Sequence, residues 1–335
     1  MDINKFKLGV GPMSKDIVNM CLEYSAYHDY PIMIIASRNQ VDYDTGYATT
    51  THDLSKLVKE SPYYNSDNIL LCRDHCGPYF SDLDKPLDLS SAIKRCIKTI
   101  DVDSKAGFDL IHIDVSRVDL DKQHQVAIEL FTAAIQRNKN ILFEFGSEDN
   151  TGDTTETLKI LVEQQKWIEP WRKNIHYIVA QTGSLVKQKQ IGTFNLQQNR
   201  MIADQIHNSG YLFKEHNADY LDRYQVALRA KTGVDAINIA PQLGNICSQV
   251  LYDLGKDSEE YKKFLGEVLS SGYWVRWVTP EINNDKIKFT ASAHYLFGSP
   301  KCNNLIAAIG ANKYKDALKE HLFKALDEYR IGYQL

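Results

Sequence analysis

The residues best suited to chemistry stand where an apolar run ends. Ile69 to Cys72 is short enough for one buried strand; it leads into Arg73-Asp74-His75 and is broken by Gly77-Pro78. A carboxylate beside an imidazole at a strand end suits metal binding or proton transfer. It is equally the make-up of an ordinary hydrogen-bonded rim pair. Cys72 and Cys76 flank His75, yet no second close Cys/His pair at structural-zinc spacing accompanies them, so a thiolate zinc knuckle is not expected. A second carboxylate, Glu144, lies within Ile141 to Phe145, where Leu142 and Glu144 share one face and Phe143 and Phe145 the other. A carboxylate is poorly placed against packed helices, so Glu144 is expected to face inward. An inward carboxylate needs a cation, which is either a metal held together with His75 and His216 or a barrel Lys or Arg. His216, taken alone, fits a hydrogen-bonded rim histidine as well.

The elements that carry these residues alternate. Strands are expected at Lys7 to Val10, Pro31 to Ala36, Asn68 to Cys72, Asp109 to Ile113, Ile141 to Phe145, Ile175 to Ala180, Tyr211 to Phe213 and Ala236 to Ile239. Between them run helical patterns, the first capped by Ser14, and Ile93, Cys96, Ile97 and Ile100 keep helical spacing. Eight strand-helix units in about 250 residues suit an α/β TIM (β/α)8 barrel better than an open doubly wound sheet. The expected division is a barrel over 1–254 and a mainly helical C-terminal extension packed on it over 255–335. No Gly-rich dinucleotide fingerprint and no P-loop spacing is present.

A barrel gathers its strand-end polar residues at one mouth. They are Ser37, Asn39 and Gln40 after the second strand, Asp74 and His75 after the third, and Asp114 and Ser116 after the fourth. Glu148 and Asp149 follow the fifth, Gln181, Gly183 and Ser184 the sixth, and His216 and Asp219 the seventh; Asn238 lies in the eighth. Glu148 reads equally as a solvated loop carboxylate, Asn39 or Ser184 as a helix cap, and Asn238 as a satisfied interior amide.

The 335 residues carry a net charge of −4, which gives no electrostatic reason to expect nucleic acid or an anionic membrane as partner. No run is long enough to span a bilayer, and the N-terminus lacks an apolar signal core. The six scattered cysteines do not resemble a disulfide framework, so a reduced, cytoplasmic protein is expected.

These residues carry a resemblance. The segments Ala36 to Gly46-Tyr47, Asp74-His75-Cys76-Gly77-Pro78, Ala106-Gly107-Phe108 into His112-Ile113-Asp114, Gly146-Ser147-Glu148, Gln181-Thr182-Gly183, Glu215 to Tyr220 and His294 to Phe297 resemble class II, zinc-dependent ketose-phosphate aldolases. They resemble most the Z-type accessory subunits of tagatose-bisphosphate aldolase. The resemblance implies a zinc barrel that makes or breaks a carbon-carbon bond beside a ketone, through a zinc-stabilised enediolate, on a tagatose- or fructose-(bis)phosphate-like sugar. It implies a metal held by His75, His216 and Glu144 with Gln181 as a weak fourth contact, and Asp74 as the acid/base on the aldehyde oxygen. Glu148 is the candidate for the C–H proton; Asn39, Gln40, Asp114, Ser116, Gly183, Ser184 and Asn238 are the candidates for substrate contacts. Two departures stand out: Gln181 replaces a histidine expected after the sixth strand, and Asn217-Ala218-Asp219 replaces a Gly-rich phosphate loop. The resemblance therefore implies two further readings, a non-catalytic subunit supporting a partner aldolase and a sugar-phosphate epimerase or isomerase on the same barrel. A homo-oligomer is a further expectation.

Overall fold

A computed structural model describes residues 2–147, 154–180, 194–279 and 281–335. Eight parallel strands close into a barrel: β1 (Leu8–Val10), β2 (Ile32–Ser37), β3 (Ile69–Cys76), β4 (Leu110–Ile113), β5 (Leu142–Ser147), β6 (Ile175–Ala180), β7 (Leu212–Glu215) and β8 (Ala236–Ile239), with β8 pairing back to β1. A two-stranded ladder of Val41–Asp42 and Thr49–Thr50 stands on the loop after β2. The expected TIM barrel is the fold observed. Every strand lies where its apolar run placed it, but β3 continues through the charged trio to Cys76. The expected stop after Cys72 is corrected; the reason is an irregularity in the strand, described below.

Helices follow each strand: α1 (Lys15–His28), α2 (Thr51–Lys59), α3 (Leu89–Ala106), α4 (Leu120–Arg137), α5 (Thr154–Ile168), α6 (Leu196–Asn208), α7 (Arg223–Lys231) and α8 (Pro241–Gly255). Their starts are set by short polar side chains. Ser14 accepts from the Ile17 N–H, Asp88 from Ser91, and Asp222 and Gln225 form a reciprocal capping box, each filling donors that the first turn leaves open.

Apolar side chains form two separate cores. The larger lies between the strands and the helices; the smaller fills the barrel itself, with Ile3, Phe6, Met33, Ile35, Leu70, Cys72, Leu110, Tyr177 and Ala236. Ile3 and Phe6 reach in from the N-terminal segment, and the Tyr177 hydroxyl donates to both of their carbonyls at 3.2 Å.

After α8 the chain is helical, in α9 (Glu259–Ser271), α10 (Asp285–Ser292), α11 (Pro300–Ile309) and α12 (Ala311–Gly332). In α12, Tyr314, Leu318, Leu322, Leu326 and Tyr329 recur at helical spacing and are buried, so one face of that helix is committed to packing. Burying each such side chain is worth about 1.5–3 kcal/mol before entropy is counted. The Tyr329 hydroxyl lies 3.0 Å from the Ala218 carbonyl and 2.6 Å from Gln242 Oε1, which braces the loop after β7 from outside. All six cysteines are free thiols and buried. Among the described residues no helix is long and apolar enough to cross a membrane.

Candidate active site

Four side chains converge at the C-terminal mouth of the barrel: Asp74 and His75 from β3, His112 from β4 and His216 just after β7. One ligand atom from each lies within 4.8 Å of all the others.

Local backbone explains how two neighbours in sequence reach one cluster. In a regular strand, Asp74 and His75 would point to opposite faces. The pairing of β3 with β4 shifts register between Arg73 and Cys76, and His75 takes a left-handed φ of 44°. This bulge turns both side chains toward the mouth. Gly77 follows at a point where a Cβ would stand 1.6 Å from the Asp114 carbonyl oxygen, so no other residue fits there. Among the described residues five non-glycines have positive φ, and four of them, His75, Tyr79, Asn217 and Tyr220, lie on the two segments that carry the cluster. Asp219 steadies the second segment: its Oδ1 accepts from the backbone of Ala240 at 3.1 Å and Gln242 at 2.8 Å.

Each imidazole has one nitrogen turned to an outer acceptor. His75 Nδ1 lies 2.8 Å from Asp114 Oδ2, His112 Nε2 lies 3.2 Å from the Gly146 carbonyl oxygen, and His216 Nε2 lies 3.4 Å from Glu144 Oε1. In neutral rings these contacts place the protons on the outer nitrogens. The remaining nitrogens then carry the lone pairs, and they surround Asp74: His75 Nε2 is 3.7 Å from Oδ2, and His112 Nδ1, which also accepts from the His75 N–H at 3.3 Å, and His216 Nδ1 are 3.5 and 3.8 Å from Oδ1. Burial acts to raise the Asp74 carboxyl; when His75, His112 and His216 are protonated, their charge outweighs burial and holds it below its ordinary value.

Glu144 faces inward, as strand parity requires, and its two oxygens are divided. Oε2 takes the Lys214 ammonium at 2.6 Å, while Oε1 faces His216 and, at 3.7 Å, His112 Nδ1. Burial raises its carboxyl, and Lys214 with the two histidines overcomes that and keeps it ionised. Of the two cations weighed for this carboxylate, the lysine is present at Oε2.

The other expected site residues divide into three groups. Asn238 stands in β8 beside Gly9, nearly fully buried, with neither side-chain atom hydrogen-bonded among the described residues. Asp114 is expected among the substrate contacts, but it is 1 % exposed and its carboxylate is taken by His75 and the Ser116 N–H. Gln40 is buried against the Ser37 N–H and Met13 Sδ, and Asn39 accepts from the Asp82 N–H, so both hold the loop after β2 together. Ser116 is half-buried beside Asp114. Glu148, Gln181, Gly183 and Ser184 lie outside the described residues.

His112 is the site residue that the expected ligand set omits. In Leu110-Ile111-His112-Ile113 it sits among core residues, and it enters the sequence reading only as part of a family segment. The signal was the same parity that turned Glu144 inward: His112 shares a face with Leu110, and the two strands pair His112 with Glu144 in register.

Fold and site together define a (β/α)8 barrel with a histidine-rich mouth. The profile of the family described as "D-tagatose-1,6-bisphosphate aldolase subunit GatZ/KbaZ-like" matches residues 9–140, the stretch that carries the first four strands of the barrel. No curated protein matches the chain. Among solved structures, a probable tagatose 6 phosphate kinase from Sinorhizobium meliloti 1021 superposes with a TM-score of 0.81 at 16% identity, covering 97% of this chain and 99% of its own. The fructose-bisphosphate aldolase of Campylobacter jejuni gives 0.60 at 11% identity, with 99% and 92% covered. The YdjI aldolase of Escherichia coli K12 gives 0.55 at 11% identity, with 99% and 94% covered. These likenesses carry the barrel fold.

Proposed function

We propose that the protein is a metal-dependent aldolase acting on a ketose phosphate of the tagatose or fructose (bis)phosphate type, with zinc as its ion. The observation that carries this reading is the convergence of three imidazole nitrogens on Asp74, each ring held by an acceptor on its far side. Three histidines complete the protein's share of a catalytic zinc site and keep a position open, so His112 stands in for the ligand that the resemblance assigns after the sixth strand. Bound there, zinc would supply Lewis-acid polarisation of a ketone oxygen and stabilise the charge that develops as the carbon-carbon bond breaks.

The chain's own residues account for the rest. Asp74, the carboxylate at the centre of the cluster, accepts the proton of the substrate hydroxyl as the aldehyde forms and returns it in the reverse direction. The buried, unpartnered Asn238 amide offers a donor and an acceptor to a substrate hydroxyl or phosphate. Asp114 and the Gly146 carbonyl keep two rings in the tautomer that points a lone pair inward. Six buried free thiols fit a reducing, cytoplasmic setting.

The test is zinc content after gentle purification, with aldol cleavage of ketose phosphates by the wild type and by His75→Ala, His112→Ala and Asp74→Asn. The histidine variants should lose the ion, and Asp74→Asn should lose turnover. A protein that holds no zinc and cleaves no ketose phosphate would refute the proposal. The word "subunit" in the matched family's description favours a second reading, a protein that supports a separate class II aldolase without turnover of its own. Co-purification with such an aldolase, and higher activity of that partner on mixing, would support it; cleavage by this protein alone would end it.

A further inference from the structure

Lys214 is the largest charge in the barrel that the proposed chemistry leaves unused. It is fully buried on β7, two residues before His216 and on the same inward face, so its Cα lies one pleat deeper than the mouth. Its ammonium lies 2.6 Å from Glu144 Oε2, 3.6 Å from Met33 Sδ and 5.1 Å from the centre of the Tyr177 ring. The other Glu144 oxygen lies within 3.4–3.7 Å of two of the proposed metal-binding histidines. A carboxylate so close to a three-histidine site is itself a good zinc ligand. Here half of it is held by an ammonium that cannot leave.

The geometry points to Lys214 as a positioning residue: a tethered cation that occupies Glu144, keeps that carboxylate out of the ion's ligand set and holds it as the acceptor behind His216. This rests on the metal reading of the mouth given above. Two cation places then stack along the barrel axis, the upper for the exchangeable ion and the lower filled permanently by Lys214. The effect is chemical as well as structural. An ion held by neutral imidazoles keeps more of its positive charge than one that also binds Glu144, and it keeps its open position for substrate.

The experiment compares wild type, Glu144→Gln, Lys214→Met and the Lys214→Met/Glu144→Gln double variant as full-length proteins. Zinc affinity is measured by chelator competition and ligand number from the visible spectrum of the cobalt(II)-loaded forms. Glu144→Gln should load cobalt with the wild-type spectrum. Lys214→Met should release Glu144 to the ion, change the spectrum toward higher coordination and tighten zinc binding. The double variant should return to the wild-type spectrum. Loss of the ion in Glu144→Gln to the extent seen in His75→Ala would overturn the inference, because Glu144 would then be a ligand already. A folded Lys214→Met with an unchanged spectrum and affinity would overturn it as well. If Lys214→Met does not accumulate folded, Glu144→Gln and the double variant, which buries no lone charge, decide the matter on the same criteria. A wild-type protein that takes up neither zinc nor cobalt would overturn the metal reading itself and this inference with it, an outcome distinct from the others.

Discussion

Replacing Asp114 by Asn tests whether the acceptors behind the histidines set the site. Asp114 is 1 % exposed and uses both carboxylate oxygens: Oδ2 takes His75 Nδ1 at 2.8 Å and Oδ1 takes the Ser116 N–H at 2.9 Å. An amide has one acceptor oxygen where the carboxylate has two. If that oxygen keeps Ser116, the NH2 faces His75 Nδ1 and drives the ring proton to Nε2, the nitrogen that points at Asp74. If it keeps His75, a backbone N–H faces an amide N–H. Removing such an outer partner lowers metal affinity by about 10–100-fold, or about 1.4–2.8 kcal/mol. With free zinc at about 100 times the wild-type Kd, the ion stabilises the wild type by about 2.7 kcal/mol, and the variant by only about 0.4–1.4 kcal/mol. Urea unfolding with and without zinc measures this directly. The difference between the two curves isolates the ion from any cost of the substitution to the metal-free fold. A variant stabilised by zinc as much as the wild type would refute the reasoning.

His294 gives the protein an acid-sensitive point away from the mouth. Its ring is buried with neither nitrogen hydrogen-bonded, and burial, with Arg276 adding to it, pushes it down to about 3 from 6.5. The unfolded chain therefore takes up this proton before the folded one does. Stability is intact above pH 6.5 and falls as pH drops toward 3, by about 1.4 kcal/mol per unit, so about 2 kcal/mol is gone by pH 5. Relative to wild type, His294→Phe should lose that much less between pH 7 and pH 5 in urea unfolding; equal losses would rule the account out. Arg73 is fully buried, with Nε and Nη2 at 2.7 and 2.8 Å from Asp103 and Nη1 at 2.8 Å from the Ala36 carbonyl. Arg73→Leu leaves Asp103 buried without its partner and should cost about 3–5 kcal/mol, whereas Arg73→Leu with Asp103→Leu should cost less. A single variant as stable as the wild type would show that the pair is not what holds β3 to α3.

The barrel was legible because parallel strands covered on both faces are apolar throughout, and runs such as Pro31 to Ala36 and Ile175 to Ala180 have no other reading at that length. The inward turn of Glu144 was legible from alternation alone. What it pairs with was not: Lys214 lies 70 residues away, and only closure of the barrel sets it at 2.6 Å. The bulge at His75 escaped for a different reason. An extra residue in a ladder leaves no periodic trace, and Gly77-Pro78 reads simply as the end of a strand. His112 was hidden by its apolar neighbours, although parity gave it the same right to the interior as Glu144.

Ile3 and Phe6 stop the lower end of the barrel, and the Tyr177 hydroxyl bolts their carbonyls in place. The histidine cluster at the mouth thus has a closed, filled barrel beneath it and opens only upward. On the proposed function, a substrate bound over the mouth covers an ion held by the cluster, so the ion is expected to arrive before the substrate and leave after it. A bound substrate acts as a cork, and chelators should strip zinc more slowly from the liganded protein than from the open one.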